Sequence, residues 1–159
     1  MKYPLNLTQY KAALLAGLGA ATCITALSLL GTLNSAIALM APFGATMVIL
    51  FGLPESPLAQ PRNIVMGHVL TAAVGLAVAM LLGVHAWSLG LAVGLAVTLM
   101  LVTHTTHPPA GANPLLIMLT GEDWHFLLMP VAAGALAIVA FGYLYHRIVS
   151  GQTYPTRWL

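Results

Sequence analysis

His107-Pro-Pro-Ala-Gly-Ala-Asn-Pro114 interrupts a chain that is otherwise built of long apolar runs. Pro108, Pro109 and Pro114 carry no backbone N–H, and Gly111 weakens any helix that tries to pass through it. Apolar sequence continues on both sides of the stretch, to Thr103 before it and to Gly121 after it. Those flanks are the composition of membrane-spanning helix. Backbone that leaves helical geometry at membrane depth must be buried in protein or line a polar cavity. The expected fold is therefore all-α: a polytopic transmembrane bundle in which continuous helices surround broken ones.

Composition supports this class. Of 159 residues, 60% are hydrophobic and 5% are charged. A soluble domain carries about a quarter of its residues as charged side chains. The few charges here suit the rims of a bundle that lipid solvates elsewhere. The length suits a single transmembrane domain over residues 1–159, with no separate soluble domain. The formal charge of +2 is too small and too dispersed to suggest nucleic-acid binding. Cys23 is alone, so no intramolecular disulfide or cysteine cluster can form, and it reads as a small packing residue. Lys2 and Lys11 precede an apolar run from Ala12 to Leu33. That run exceeds the about 7–15 residues of a signal-peptide core, so it reads as a retained first span. No serine- and arginine-rich transit segment precedes it, and the expected location is a bacterial inner membrane.

Four long segments are predicted to span: Ala12 to Leu33, Ile64 to Val84, Trp87 to Thr103 with an extension to Thr106, and Phe126 to Val149. Two shorter ones, Ile37 to Leu53 and Pro108 to Gly121, contain proline and glycine. These two resemble each other. Pro42-Phe-Gly-Ala-Thr46 matches Pro109-Ala-Gly-Ala-Asn113, and each is followed by an apolar run, a glycine, a polar turn and a proline before the next long span. The chain thus divides into two repeats of three elements, about 11–84 and about 87–149, with a boundary near His85. Paired interrupted segments in two halves of a membrane protein point to a binding site at the repeat interface. If the short segments cross, the halves are inverted; if they are re-entrant, the halves are parallel. Crossing puts Lys2, Lys11, Arg62, Arg147 and Arg157 on one side, which the positive-inside rule favours by one arginine. Gly67, Thr71, Gly75 and Ala79 form a small-residue stripe, Gly90 and Gly94 form a GxxxG pair, and Gly17 pairs with Ala21. Such stripes suit close helix packing, within a protomer or between two.

The acids Glu55, Glu122 and Asp123 all fall in predicted loops. A cation path normally places carboxylates in the membrane. Their absence there leaves anions, neutral solutes and gases. Half-helices starting near Gly44 and Gly111 would offer free N–H groups and a positive dipole end to a small anion. Ala45 and Ala112 would let an ion approach the backbone, and Thr46 and Asn113 would donate from hydroxyl and amide. Thr46 and Asn113 also suit a plain capping role. Arg62 and Asn63 open the third segment, as interfacial anchors or as a vestibule that attracts anions. His104 and His107 stand at i, i+3 and share a face if helical; with His68 they suit hydrogen-bonded structural or proton-linked roles. A metal site is not expected, because further ligands are missing. His85, His125 and His146, with Trp87, Trp124 and Trp158, read as interfacial. No hydrolytic motif is present, so no enzyme activity and no cofactor are expected.

His107-Pro108-Pro109-Ala-Gly-Ala-Asn113-Pro114-Leu115 resembles the signature of the HPP family of integral membrane proteins. Pro42-Phe-Gly-Ala-Thr-Met-Val48, Ser56-Pro-Leu-Ala-Gln-Pro-Arg-Asn63 and Gly67-His68 are similar to that family's other recurrent stretches. The likeness runs from about Lys11 to Tyr145. It implies a four-spanning transport protein, and relatives in chloroplasts and cyanobacteria imply nitrite as substrate. The resulting expectation is a transporter or channel for a small anion, nitrite first. Its site would comprise Gly44, Ala45, Thr46, Arg62, Asn63, His68, His104, His107, Gly111, Ala112 and Asn113. The expected partners are the anion, membrane lipid and a second copy of the chain in a homodimer. The rivals are a non-transporting membrane subunit and a metal or redox protein ligated by His104 and His107.

Overall fold

A computed structural model describes residues 6–33 and 39–158. Ile37 and Ala38 of the first predicted broken segment, and Lys2, lie outside the described residues. Six helical stretches organise the chain: α1 (Leu7–Leu33), α2 (Ala41–Gly52), α3 (Pro61–Leu82), α4 (Ala86–Val102), α5 (Asn113–Thr120) and α6 (Trp124–Ser150). Short 3₁₀ turns at Pro57–Ala59 and Pro108–Ala112 lead into α3 and α5. Over Leu7–Thr32, Pro61–Leu82 and Trp124–Ser150 the helices are long and apolar enough to cross a membrane. At 17 residues, α4 is shorter; at 1.5 Å per residue it is about 26 Å long, near the thickness of the hydrocarbon core.

The helix ends follow local rules. Pro42 and Pro61 stand in the first turns of α2 and α3, where the missing N–H has no helical partner to lose. Gly83 (φ 69°) and Gly121 (φ 74°) terminate α3 and α5 in backbone that a side chain would strain. Within α6, Met129 is extended (φ −132°, ψ 112°) beside Pro130, so this span is kinked.

Contacts along α3 give the direction of the other helices. Its start binds the residues just after α4: Arg62 Nη2 donates to the Thr103 carbonyl (2.9 Å) and Asn63 Nδ2 to the Thr106 carbonyl (2.9 Å). Helix α4 is therefore antiparallel to α3. His68, Gly75 and Val78 in turn meet Asn113, Pro114 and Met118, so α5 begins partway along α3 and runs parallel to it. Helix α2 begins at the same depth, with Phe43 edge-on to His68. It ends beside His146, whose Nε2 lies 2.9 Å from the Leu50 carbonyl. Gly134 and Gly142 of α6 pack on Phe43 and Leu50, so α6 descends with α2. Tyr145 Oη donates to the Leu15 carbonyl of α1 at 2.7 Å, which ties the first half of α1 to this same end.

Three expectations are corrected here. Helix α4 stops at Val102 and does not extend to Thr106, because the Thr105 amide turns back to the Met100 carbonyl (2.9 Å). His104 follows with φ 54°, so His104 and His107 share no helical face. His146 lies near the end of its segment as expected, but its side chain is buried in protein, held by Leu50 and by Ser150 Oγ (2.8 Å), and does not face the interface.

In lipid, helices gain little from hydrophobic burial against each other, and close packing carries association. The small-residue stripe of α3 serves that purpose inside the protomer. A Cβ on Gly75 would lie 2.8 Å from Pro114 Cα, and one on Gly67 would lie 2.9 Å from His107 Cβ. On α4, Gly90 and Gly94 have nothing within 4 Å. Gly75→Ala is therefore expected to destabilise the purified protein by about 1–3 kcal/mol, the usual cost of overpacking. Gly90→Ala should leave the protomer at least as stable as the wild type. Reversible unfolding in mixed micelles measures both; equal stability of the two variants would refute this packing assignment.

Candidate functional site

Thr46, His68, Thr71, His107 and Asn113 are fully buried and form one hydrogen-bonded cluster. Four stretches supply them: α2, α3, the turn before α5, and the first residue of α5. Thr46 Oγ1 lies 3.0 Å from His68 Nε2 and 2.9 Å from His107 Nε2. The far nitrogen of His107, Nδ1, lies 2.8 Å from the Leu58 carbonyl. A carbonyl only accepts, so His107 Nδ1 carries the proton and its Nε2 accepts. Thr46 then donates to His107 at 2.9 Å, nearer than its other acceptor, the Pro42 carbonyl at 3.2 Å, and accepts from His68 Nε2–H. That leaves His68 Nδ1 as an acceptor, and Asn113 Nδ2 stands 3.0 Å from it. The chain of donors thus runs Asn113, His68, Thr46, His107, Leu58, with both imidazoles neutral.

Asn113 Nδ2 has further acceptors in reach, the His68 carbonyl at 3.0 Å and Thr71 Oγ1 at 2.9 Å. Thr71 passes its own proton to the Gly67 carbonyl (2.8 Å). The His68 carbonyl fixes the amide orientation, because the amide oxygen would be repelled there. Asn113 Oδ1, facing the other way, is buried and has no partner among the described residues.

Thr46 and Asn113 do not cap their helices. Met40 and Ala112 occupy the N-cap positions, without side-chain caps, and both predicted residues turn inward to His68. Sequence reading missed Thr71 as a polar partner and the Leu58 carbonyl altogether. Thr71 was visible only as a member of the small-residue stripe, although it stands one helical turn from His68.

The other predicted residues fall into separate places. Ala45 and Ala112 are exposed and face each other across a groove of 630 Å³ between the two broken segments, bordered also by Pro42, Val48, Pro108 and Pro109. Gly44 is exposed beside a different cavity, between α1, α2 and α6. Gly111 is half-buried in the turn. Arg62, Asn63 and His104 gather at the start of α3, around a smaller pocket completed by Gln60 and Arg157. Among the described residues, no group of three or more His, Cys, Asp or Glu side chains is placed to hold a metal.

Residues 6–155, nearly all of the sequence and both broken segments with it, match the family described as HPP, transmembrane region. The chain belongs to the HPP transmembrane family. Two curated HPP-like relatives are transmembrane proteins of Dictyostelium discoideum. One is 36% identical over 128 residues, covering 76% of this chain and 45% of the relative. The other is 35% identical over 130 residues, covering 77% of this chain and 42% of the relative. The chain thus spans less than half the length of these curated relatives. No solved structure matches it. The family match and the apolar spans make this HPP chain an integral, multi-pass membrane protein.

Proposed function

We propose that this HPP protein transports a small anion, with nitrite as the substrate to test first. The observation that carries the reading is the groove in which α2 and the Pro108–Ala112 turn meet, with Ala45 and Ala112 open to it. Helices α2 and α5 both begin beside His68 and leave in opposite directions along α3. In this reading the short segments complete crossings, the halves are inverted repeats of three elements, and the groove lies at their interface. The acids support an anion: Glu55, Asp123 and Glu122 lie outside the helices. Lys11, Arg62, Arg147 and Arg157 gather at the end shared by the starts of α1 and α3 and the finish of α6. That end faces the cytoplasm by the positive-inside rule. The proposed membrane is the bacterial inner membrane of the sequence reading, whereas the relatives compared are from Dictyostelium discoideum.

Proteoliposomes containing the protein should release nitrite faster than empty vesicles. Ala112→Leu, which fills the groove without touching the buried cluster, should slow release by about tenfold, or about 1.4 kcal/mol on the barrier. Equal release with and without correctly inserted protein would reject nitrite transport. Homodimerisation is part of the same proposal, through the open Gly90 and Gly94 face of α4; disulfide cross-linking of Gly90→Cys in membranes should trap a dimer, and a monomer throughout would reject that interface.

Topology has its own test. In a Cys23→Ser background, Ser56→Cys and Gln152→Cys should label from the same side of the membrane, because both residues line one cavity. Labelling from opposite sides would reject the inverted arrangement.

A further inference from the structure

The pocket at the start of α3 is built from groups that suit an anion. Arg62, Arg157, His104, Asn63 and Gln60 line its 250 Å³, with no carboxylate side chain among the described residues that border it. Arg62 is pinned by the Thr103 carbonyl at 2.9 Å. The guanidinium of Arg157 and the ring of His104 have no hydrogen-bond partner among the described residues. The first turn of α3 adds the backbone N–H groups of Arg62 and Asn63, at the positive end of a 22-residue helix.

The supporting structure is specific. Gln60 is buried at 3% exposure and uses its whole amide. Its Nε2 donates to the Pro54 and Ser56 carbonyls at 3.0 and 2.8 Å. Its Oε1 accepts from the backbone N–H groups of Thr156 and Arg157 at 2.9 and 3.2 Å. A glutamine far upstream in sequence thus clamps the C-terminal segment over the mouth of α3. Tyr154, also buried, seats that segment against His146. The clamp brings Arg157 to the same pocket as Arg62, both of them exposed at its rim. On the third side, His104 is held at φ 54°, a conformation unusual for a residue other than glycine. It is the residue that closes α4: its own N–H and that of Thr105 return to the Leu101 and Met100 carbonyls (3.2 and 2.9 Å), and this helix end sets the ring on the pocket's third side.

We propose that Arg62, His104 and Arg157 form a binding site for a tetrahedral oxyanion of the phosphate class, either free in the cytoplasm or carried by an anionic lipid headgroup. Two guanidinium groups and a helix N-terminus match the several oxygens of such a group better than a single-point contact would. The site stands whether or not the chain moves an anion, because it lies at the rim rather than in the groove beside Ala45 and Ala112.

Inorganic phosphate, titrated at constant ionic strength into the purified full chain, is expected to raise its melting temperature and to saturate. Arg157→Gln should weaken the apparent affinity by at least about tenfold, the usual scale for a lost charge-assisted contact. This variant removes an exposed guanidinium that holds no hydrogen bond among the described residues, so its fold and its melting temperature without phosphate should be preserved. His104→Gln gives a second reading that leaves both arginines in place, and it should also weaken binding. Short-chain phosphatidylglycerol that competes with phosphate, where phosphatidylcholine does not, would identify a lipid headgroup. Failure of phosphatidylglycerol to compete would identify the free ion. No saturable response in the wild type, or the same response in wild type, Arg157→Gln and His104→Gln, would overturn the proposal. Nitrite release is measured separately, so loss of transport and loss of this site are distinguished.

Discussion

Asn113→Asp is expected to destabilise the protein more than Asn113→Leu, although aspartate is the closer match in shape. The amide nitrogen of Asn113 lies within 3.0 Å of His68 Nδ1, the His68 carbonyl and Thr71 Oγ1. Leucine removes those donors and leaves acceptors unpaired. Interhelical hydrogen bonds in membrane proteins average about 0.6 kcal/mol each, so Asn113→Leu should cost about 1–2 kcal/mol. Aspartate puts an oxygen where the nitrogen stood, facing the His68 carbonyl. It also places a charge inside the bundle, which costs about 2.5–3.5 kcal/mol on insertion scales. A deficit of about 3.5–5.5 kcal/mol is expected at neutral pH, the sum of the charge and the lost donors. At acidic pH a protonated carboxyl loses the charge and regains one donor toward His68 Nδ1, so the deficit should shrink. Unfolding free energies in mixed micelles at two pH values measure this. Aspartate no worse than leucine at neutral pH, or a deficit that grows on acidification, would show that the amide orientation assigned here is wrong.

Much of the helical frame was legible because apolar length is a local property. The segment predicted as Ile64 to Val84 is the helix Pro61–Leu82, and Trp87 to Thr103 is Ala86–Val102. The likeness of the broken stretches was also legible, since Thr46 and Asn113 stand at matching places in Pro-x-Gly-Ala-[Thr/Asn]. What they do was not, because it depends on which face of α3 the two segments meet. His68 was visible as a polar residue inside an apolar run. Its role as the group both segments bind required the packing of α2 and α5 on one side of it. Local reasoning failed where the chain reverses. His104 and His107 have helical spacing, but the helix ends before either, one becoming exposed and the other buried. His146 looked interfacial and is buried, because it meets the Leu50 carbonyl, 96 positions away in the sequence. Arg157 was placed by its sequence only on a side of the membrane; its position near the start of α3 depends on the Gln60 clamp.

Thr46→Val should separate the two histidines energetically while keeping the side-chain volume. The hydroxyl serves both rings, at 3.0 Å from His68 Nε2 and 2.9 Å from His107 Nε2. Valine leaves an unpaired N–H on His68 and an unpaired acceptor on His107, each buried. Two lost hydrogen bonds and the unpaired groups together should cost about 2–4 kcal/mol. Thr46→Ser keeps the hydroxyl and loses one methyl, which should cost about 1 kcal/mol. The same geometry fixes the protons. His107 should be the Nδ1–H tautomer, because its Nδ1 faces the Leu58 carbonyl; His68 should be the Nε2–H tautomer, because Asn113 donates to its Nδ1. Nitrogen-15 NMR of histidine-labelled protein distinguishes the two forms. Opposite tautomers in the wild type, with a second form of His68 or His107 appearing in Thr46→Val, would establish the directional chain. The same tautomer on both rings, or equal stability of the valine and serine variants, would break it. The outcome bears on transport as well: the hydroxyl shared by two rings ties α2 and the His107 turn to α3 beside the groove between them, so Thr46→Val is expected to change nitrite release where Thr46→Ser does not.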